Sequence, residues 1–132
     1  MISRLPVPDE FSQRYWDAAR EGQLLIQRCT ACGRPQFYPR QHCRHCLAAD
    51  PEWLPASGGG ELYSFTVVRR TPNEGFAGEV PYVFALVDLD EGVRITCNVL
   101  DVDFETLSCG QRVVVVMRDV DGWALPCVTR TE

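Results

Sequence analysis

Two Cys-X-X-Cys pairs, separated by ten residues, constrain the fold of this chain more than any other feature. Cys29 and Cys32 form the first pair, and Cys43 and Cys46 form the second. Four thiolates at this spacing can enclose one ion in the tetrahedral shell that zinc prefers. The spacing therefore predicts a compact zinc ribbon, in which a structural Zn²⁺ supplies stability that a small core lacks.

Other interpretations of these cysteines stay open. Four ordinary buried cysteines would need no ion, and iron held by four thiolates would make the ribbon an electron carrier like rubredoxin. Gly33 follows Cys32 as in a rubredoxin knuckle, whereas Leu47 follows Cys46. Disulfides are disfavoured because the first residues lack the apolar stretch of a secretion signal. The total of seven cysteines fits four thiols on a metal ion and three free thiols in a reducing cytoplasm.

The charge of the chain limits the kinds of molecule that it can attract. The formal net charge is −5, the isoelectric point is about 5.0, and all 13 basic residues are arginine. An acidic chain has no general attraction to nucleic acid or to anionic lipid. No apolar run reaches the ~20 residues that cross a bilayer. We therefore expect a cytoplasmic protein that binds neither nucleic acid nor membrane.

The segment from Pro8 to Gly22 predicts a short helix, because proline and Asp9 suit its start and glycine suits its end. Aromatic and small side chains share one side of it: Phe11, Tyr15, Ala18 and Ala19, with Trp16 beside them. Such a short helix is marginal alone, so its rings must pack on something. They could cover this chain's own ribbon or barrel, or they could form an interface with a partner chain.

The second half of the chain has the period-two alternation of β-strands. Five strands are predicted, at 61–68, 82–87, 93–99, 112–117 and 123–128. Turns are predicted at Asp90–Gly92 and Asp121–Gly122, and a proline- and glycine-rich stretch at 50–60 marks a boundary between the ribbon and these strands. Five short antiparallel strands are typical of an OB-fold barrel, although a small open sheet or another five-stranded barrel has the same periodicity.

The order of these parts resembles a known family. The aromatic helix ends at Gly22, a strand leads into Cys-X-X-Cys-Gly, the segment 37–40 reads Phe-Tyr-Pro-Arg, and a second Cys-X-X-Cys follows. Pro81 and Tyr82 precede the second barrel strand. The chain is similar to the zinc-ribbon plus OB-fold proteins that are described as acyl-CoA-associated and occur with thiolases and thiolase-like lipid-transfer proteins. It departs from them at Arg44, where the family often has proline.

The resemblance implies a mainly β fold with three parts. These are an N-terminal helical segment (1–23), a rubredoxin-like zinc ribbon (24–56) and a five-stranded OB-fold barrel (57–132). It implies that Cys29, Cys32, Cys43 and Cys46 hold a structural Zn²⁺. It also implies a non-catalytic scaffold subunit of a hetero-oligomer, which binds a thiolase-like or aldolase enzyme chain and helps to position an acyl-CoA substrate.

Several further residues are candidates for contact with that partner or with CoA. Phe11, Tyr15 and Trp16 on the helix, and Phe76 in the loop after the first barrel strand, are candidates for the partner interface. Arg69 and Arg70 border the surface that OB-folds use for binding, and their guanidinium groups could hold CoA phosphates. The alternative for this arginine pair is ordinary solvation beside nearby glutamates.

The remaining chemically suggestive residues have ordinary interpretations. His42 and His45 flank the second cysteine pair, and we expect them outside the metal shell because four thiolates complete it. Cys97 alternates with apolar residues and is predicted to lie in the core. The alternative function is single-stranded nucleic-acid binding, for which Tyr63 and Phe65 would stack bases from one face of the first barrel strand.

Overall fold

The computed structural model describes residues 10–70, 81–101, 103–120 and 123–131. Its elements are the helix α1 (Gln13–Arg20) and the strands β1 (Leu25–Arg28), β2 (Pro35–Gln36), β3 (Glu52–Pro55), β4 (Gly59–Val68), β5 (Tyr82–Leu89), β6 (Arg94–Val99), β7 (Arg112–Val120) and β8 (Trp123–Arg130). The first three strands form a sheet in the order β2-β1-β3, and the last five close a barrel in the order β4-β5-β6-β8-β7. The predicted mainly β fold with one helix, a ribbon and a five-stranded barrel is confirmed.

Helix α1 ends at the glycine that the sequence indicated. Gly22 has a φ of 86°, a conformation that glycine adopts without strain. The amide of Gly22 donates to the carbonyl of Ala19 at 3.0 Å, and the amide of Gln23 donates to that of Ala18 at 2.9 Å. This pair of hydrogen bonds is a Schellman motif, which satisfies carbonyls at the helix end. The predicted start at Pro8 and Asp9 lies outside the described residues.

The ribbon sheet contains a strand that the sequence did not predict. No strand was predicted at residues 52–55, which lie in the boundary stretch 50–60, but Glu52–Pro55 pairs antiparallel with β1 and places Leu54 opposite Ile26. Pro51 just before the strand and Pro55 at its last position give this segment the local signature of a turn. The segment nevertheless forms a strand, because pairing along the open edge of β1 satisfies backbone groups of both strands.

The barrel closes through short turns and one close backbone approach. The predicted turn at Asp90–Gly92 is present, and Gly92 has a φ of 93°. Strands β7 and β8 pair up to Val120 and Trp123, while the turn predicted between them lies outside the described residues. Gly60 must be glycine, because a Cβ there would lie 2.7 Å from the carbonyl oxygen of Asp88.

A β-bulge in β4 changes which of its side chains face the core. The pairing register with β5 shifts between Leu62 and Ser64, so Tyr63 is an extra residue. Leu62 is buried, and Phe65 and Val67 also pack against the core. The prediction that Tyr63 and Phe65 share one face of this strand is therefore wrong. Tyr63 is 52% exposed, so it does not form a stacking platform with Phe65.

Helix α1 joins the ribbon to the barrel. Tyr15 and Ala19 are fully buried, and the ring of Trp16 meets that of Trp123 edge-on at 5.7 Å between centroids. One hydrophobic cluster contains these helix residues, the buried residues of β1 and the barrel interior. Of the two environments predicted for the aromatic side of the helix, the structure shows packing on this chain. In the described residues, no helix is long and apolar enough to span a membrane.

Candidate metal centre

The four predicted cysteines meet at one point of the ribbon. Their Sγ atoms all lie within 4.8 Å of one another. The Sγ atoms of Cys29 and Cys46 are 3.5 Å apart, and those of Cys32 and Cys43 are 3.7 Å apart. Cys29 and Cys43 are buried, whereas Cys32 and Cys46 are exposed. The first cysteine of each pair therefore faces the interior and the second faces solvent.

The two cysteine pairs have the same backbone geometry. In the first, the amide of Gly33 donates to the carbonyl of Cys29 at 2.9 Å. In the second, the amide of Leu47 donates to the carbonyl of Cys43 at 2.9 Å. The residue after each pair has a left-handed backbone conformation, with a φ of 76° at Gly33 and 67° at Leu47. Leucine thus adopts the conformation that the turn requires, although glycine would do so with less strain.

Backbone amides point at the sulfur atoms. The amides of Cys32 and Ala31 donate to Sγ of Cys29 at 3.4 and 3.3 Å and lower the pKa of this thiol to about 6. Burial alone would raise the pKa of Cys43, but the amides of Cys46 and His45 outweigh it, so the pKa is lowered. These amide dipoles favour the thiolate forms that bind metal.

Cys46 shows why a cation suits the cluster. The amide of Ala48 lowers its pKa, but the neighbouring thiols, with that of Cys29 first, and burial together raise it to about 11. Four thiolates repel one another at these distances, so the cluster keeps part of its protons unless a positive ion compensates the charge. A tetrahedral shell with Zn–S bonds of about 2.3 Å places its sulfur atoms about 3.8 Å apart. The 3.5 and 3.7 Å separations fit such a shell.

A buried pair of glutamines supports the second cysteine pair, and the sequence analysis missed it. Gln27 on β1 and Gln36 on β2 are 0% and 2% exposed, and Nε2 of Gln36 donates to Oε1 of Gln27 at 2.7 Å. The amide of Arg40 donates to Oε1 of Gln27 at 2.8 Å, and that of Arg44 to Oε1 of Gln36 at 2.9 Å. The pair thus satisfies backbone groups of the loop that carries Cys43. The two glutamines are register partners on β1 and β2, and the sequence analysis predicted no strand at β2 that could have paired them.

The two histidines lie outside the cluster of sulfur atoms. Both are exposed, and neither joins the ligand set within the part of the chain that the structure describes. Nδ1 of His45 lies 3.5 Å from a guanidinium nitrogen of Arg34, and the carbonyl of His42 accepts from Nε2 of Gln36 at 3.3 Å. His42 therefore contributes its backbone to the glutamine network.

The other cysteines have the environments expected for structural thiols or a surface thiol. Cys97 is buried as predicted, and burial raises its pKa to about 12. Cys127 is buried, and Cys109 is exposed. A thiol with so high a pKa as that of Cys97 is protonated at neutral pH and is a poor nucleophile.

The residues predicted for a partner or for CoA are not brought together. Phe11 is half-buried, with its ring 5.4 Å from that of Trp53. Tyr15 and Trp16 are 2% and 9% exposed, which leaves little of either ring for direct contact with another chain. Phe76 lies outside the described residues, and the interface role of this set stays a prediction.

The arginine pair lies on the surface. Arg69 and Arg70 are both exposed, and the guanidinium carbon of Arg69 lies 6.0 Å from the centre of the Phe104 ring. This position leaves them accessible to a soluble anion. Contact of either arginine with CoA phosphates stays a prediction.

An aromatic cleft lies where the helix, the ribbon and the barrel meet. Its volume is about 540 Å³. Its aromatic lining consists of Tyr15, Trp16, Phe37, Tyr38, Tyr82 and Phe84. Residues 95–98 of β6 and 125–127 of β8 also line it. Within the described residues these two strands pair only at Val99 and Val128, so the cleft opens where they diverge.

Two family models match the chain in succession. Residues 16–52 match the model described as ChsH2, rubredoxin-like zinc ribbon domain. Residues 53–118 match the model described as ChsH2, C-terminal OB-fold domain. The chain belongs to the ChsH2 family. The two matches meet between residues 52 and 53, within β3, and the predicted division into 1–23, 24–56 and 57–132 stays a prediction.

Curated proteins similar to this ChsH2-family chain include scaffold proteins and enzyme subunits. A "DUF35 domain-containing scaffold protein" of Methanocaldococcus jannaschii is 34% identical over 114 residues, 85% of this chain and 80% of the relative. A "Probable enoyl-CoA hydratase alpha subunit" of Thermomonospora curvata is 36% identical over 107 residues, 81% of this chain and 33% of the relative. The "Benzoylsuccinyl-CoA thiolase subunit BbsA" of Geobacter metallireducens is 32% identical over 90 residues, 68% of this chain and 58% of the relative.

A solved structure extends the similarity to nearly the whole fold. The ChsH2-family chain superposes on a chain of the "Ltp2-ChsH2(DUF35) aldolase" with a TM-score of 0.84 and 31% identity, over 96% of this chain and 98% of that one. The chain spans about a third of the Thermomonospora curvata relative, 33% of its length. The similarity therefore covers one part of that protein and does not extend to its whole activity.

Proposed function

We propose that this protein is a non-catalytic accessory subunit that binds a thiolase-like or aldolase enzyme chain and helps to position its acyl-CoA substrate. The observation that carries the proposal is the superposition on a chain of the "Ltp2-ChsH2(DUF35) aldolase" over 96% of the residues. The names of the scaffold protein and the thiolase subunit among the relatives support the same role. Assembly with an enzyme chain would make it part of a hetero-oligomer.

The ion proposed for the four-cysteine centre is Zn²⁺. Two sulfur separations, 3.5 and 3.7 Å, are close to those of its tetrahedral shell, and the match to a zinc ribbon model supports this choice. When bound, the ion supplies no reaction chemistry here, because four thiolates would leave no open coordination position for a substrate. Its proposed role is to fix both cysteine turns, and through the glutamine pair the loop between them.

The described residues support a binding role better than a catalytic one. A nucleophilic cysteine needs a depressed pKa and a neighbouring base. The low pKa of Cys29 belongs to the proposed metal shell, and Cys97 is buried with a raised pKa. In the proposed assembly, the enzyme chain contributes the reacting groups and this subunit contributes surfaces.

Two surfaces are proposed for contact. Phe11, which lies before α1 and packs on Trp53, would contact the enzyme chain. The buried Tyr15 and Trp16 would hold the adjacent helix α1 against this chain's own core. Arg69 and Arg70, both exposed, would hold the phosphates of CoA.

The test is purification of a tagged copy from its native cells under gentle conditions. We expect it to emerge with a thiolase-like or aldolase chain, and elemental analysis to find one zinc per subunit. Cys43→Ser should lose both the zinc and the companion chain, whereas Cys109→Ser, which changes an exposed thiol outside the cluster, should keep them. Emergence of the tagged protein alone would contradict the proposed role, and iron in place of zinc would contradict the proposed ion.

A further inference from the structure

The aromatic cleft has a composition that sets it apart from the rest of the surface. Tyr38 and Phe84 are 42% and 44% exposed, although large apolar rings are usually covered. Both rings line the cleft. Two of the large exposed hydrophobic side chains on the described surface therefore meet at one concave place, which is the arrangement expected of a binding site rather than of scattered exposure.

The deep part of the cleft is apolar and fixed in position. Its buried lining residues include Tyr15 at 2%, Cys127 at 3% and Cys97 at 8% exposure. The ring of Tyr15 contacts those of Trp16 at 4.8 Å, Tyr38 at 5.4 Å and Phe37 at 5.8 Å between centroids. These edge-on and tilted contacts hold the rings in place, so the site is formed before a ligand arrives.

The lining also contains polar groups. Thr96 and Asn98 of β6 and Arg118 of β7 all line the cleft. Nδ2 of Asn98 donates to the carbonyl of Val83 at 2.9 Å, which fixes the orientation of its amide. The site thus combines an apolar interior with a few polar groups and one positive charge, which suits a ligand that has an apolar ring and a polar or anionic tail.

We propose that this aromatic cleft binds the ring-bearing acyl group of a CoA thioester. The inference rests on the proposed function and adds the class of acyl group. Six aromatic residues around a volume of about 540 Å³ would surround a ring with edge-on and stacked contacts, which a short acyl chain such as acetyl cannot make. The thioester and CoA parts would extend past the exposed rings of Tyr38 and Phe84 toward solvent.

The test measures binding to the full chain with tryptophan fluorescence and calorimetry. Trp16 lines the cleft, and its ring centroid lies 5.7 Å from that of Trp123, so a bound ring should change the tryptophan emission. We expect benzoyl-CoA to bind at least about tenfold more tightly than acetyl-CoA or CoA alone, because one buried ring readily supplies the free energy of a decade in affinity. Equal affinities for the three probes would overturn the proposal.

A pair of matched variants locates the binding. Phe84→Ala removes an exposed ring from the cleft, and Tyr63→Ala removes a ring of similar exposure, 52%, that does not line it. Phe84→Ala should weaken the binding of benzoyl-CoA about tenfold, which is the loss expected for one buried ring. It should leave the affinity for acetyl-CoA unchanged. Tyr63→Ala should change the affinity for neither probe. Equal effects of the two variants on benzoyl-CoA would overturn the proposal.

Co-purification of the same variants separates this inference from the accessory role. Phe84→Ala should still emerge with its enzyme chain, because the altered ring contacts a small molecule in the proposal. Loss of the enzyme chain on Phe84→Ala alone would assign the cleft to a partner side chain and overturn the ligand site. If the wild-type protein emerges alone and still discriminates benzoyl-CoA from acetyl-CoA, the accessory role fails and the cleft assignment stands.

Discussion

The ribbon and the barrel stabilise their folds by different means. The barrel interior contains mainly branched apolar side chains: Leu62, Val83, Ala85, Val87, Ile95, Val99, Val113 and Val128 are all buried. The ribbon interior instead contains Gln27, Gln36 and two thiols of the four-cysteine cluster, with Ile26 as its most deeply buried apolar side chain. A core of this kind gains little from the hydrophobic effect, so the ribbon depends on its metal ion and its hydrogen bonds.

Metal removal should therefore unfold the ribbon and leave the barrel folded. It is the change from which we expect the largest effect. Structural zinc contributes about 10–16 kcal/mol in zinc-finger peptides, which equals or exceeds the whole stability of a typical domain. After chelation we expect fast hydrogen exchange at amides of residues 25–55 and continued protection in β5 and β6. Thiol labelling should then reach the four clustered cysteines, whereas the loaded protein should react at the exposed Cys109. Unchanged protection of the ribbon amides would contradict this division.

A large-to-small change in the barrel should cost less than chelation but act on the whole fold. Leu62 is 1% exposed, and Leu62→Ala should lower the free energy of unfolding by about 2–5 kcal/mol because it leaves a cavity. The matched control is Leu47→Ala in the ribbon, where the side chain is 75% exposed, and it should change stability by about 0.5 kcal/mol or less. Urea titration measures both values, and similar losses from the two variants would contradict the dependence of the barrel on its buried apolar side chains.

The glutamine pair should contribute a smaller amount, confined to the ribbon. Gln36→Leu removes the acceptor of the Arg44 amide and a donor to Gln27, so it should cost about 1–3 kcal/mol and speed the loss of metal to a chelator. Gln41→Leu alters an exposed glutamine of the same loop and should leave the rate of metal loss unchanged. Equal rates for the two variants would show that the buried pair does not support the second cysteine turn.

The smallest expected effect concerns the two cysteine turns. Leu47→Gly gives the second turn the residue of the first and removes the strain of a left-handed leucine, which is about 1–2 kcal/mol. Glycine also has more freedom in the unfolded chain, so we expect a net stabilisation below about 1 kcal/mol. Ala49→Gly, at an exposed position of the same loop, should only destabilise. Thermal unfolding of the metal-loaded variants measures both, and a lower melting temperature for Leu47→Gly would contradict the argument.

The sequence predicted the barrel strands well because each carries its own alternation. Val93, Ile95, Cys97 and Val99 alternate toward the core, and all are buried. It did not predict β3, because Pro51 precedes that strand and Pro55 ends it, and the strand forms by pairing with the open edge of β1. It also misjudged β4, because a bulge at Tyr63 changes the side-chain phase without any local signal in the residues.

The candidate site was predictable to the extent that covalent spacing defines it. Two Cys-X-X-Cys pairs bring four thiols within reach of one ion whatever surrounds them, and Gly22 and Gly92 mark chain reversals by their own conformational freedom. The glutamine pair, the burial of Tyr15 and the aromatic cleft depend on residues far apart in the chain. Only the packing of α1 between the ribbon and the barrel decides them, because a side chain's burial and neighbours are set by the elements that meet around it.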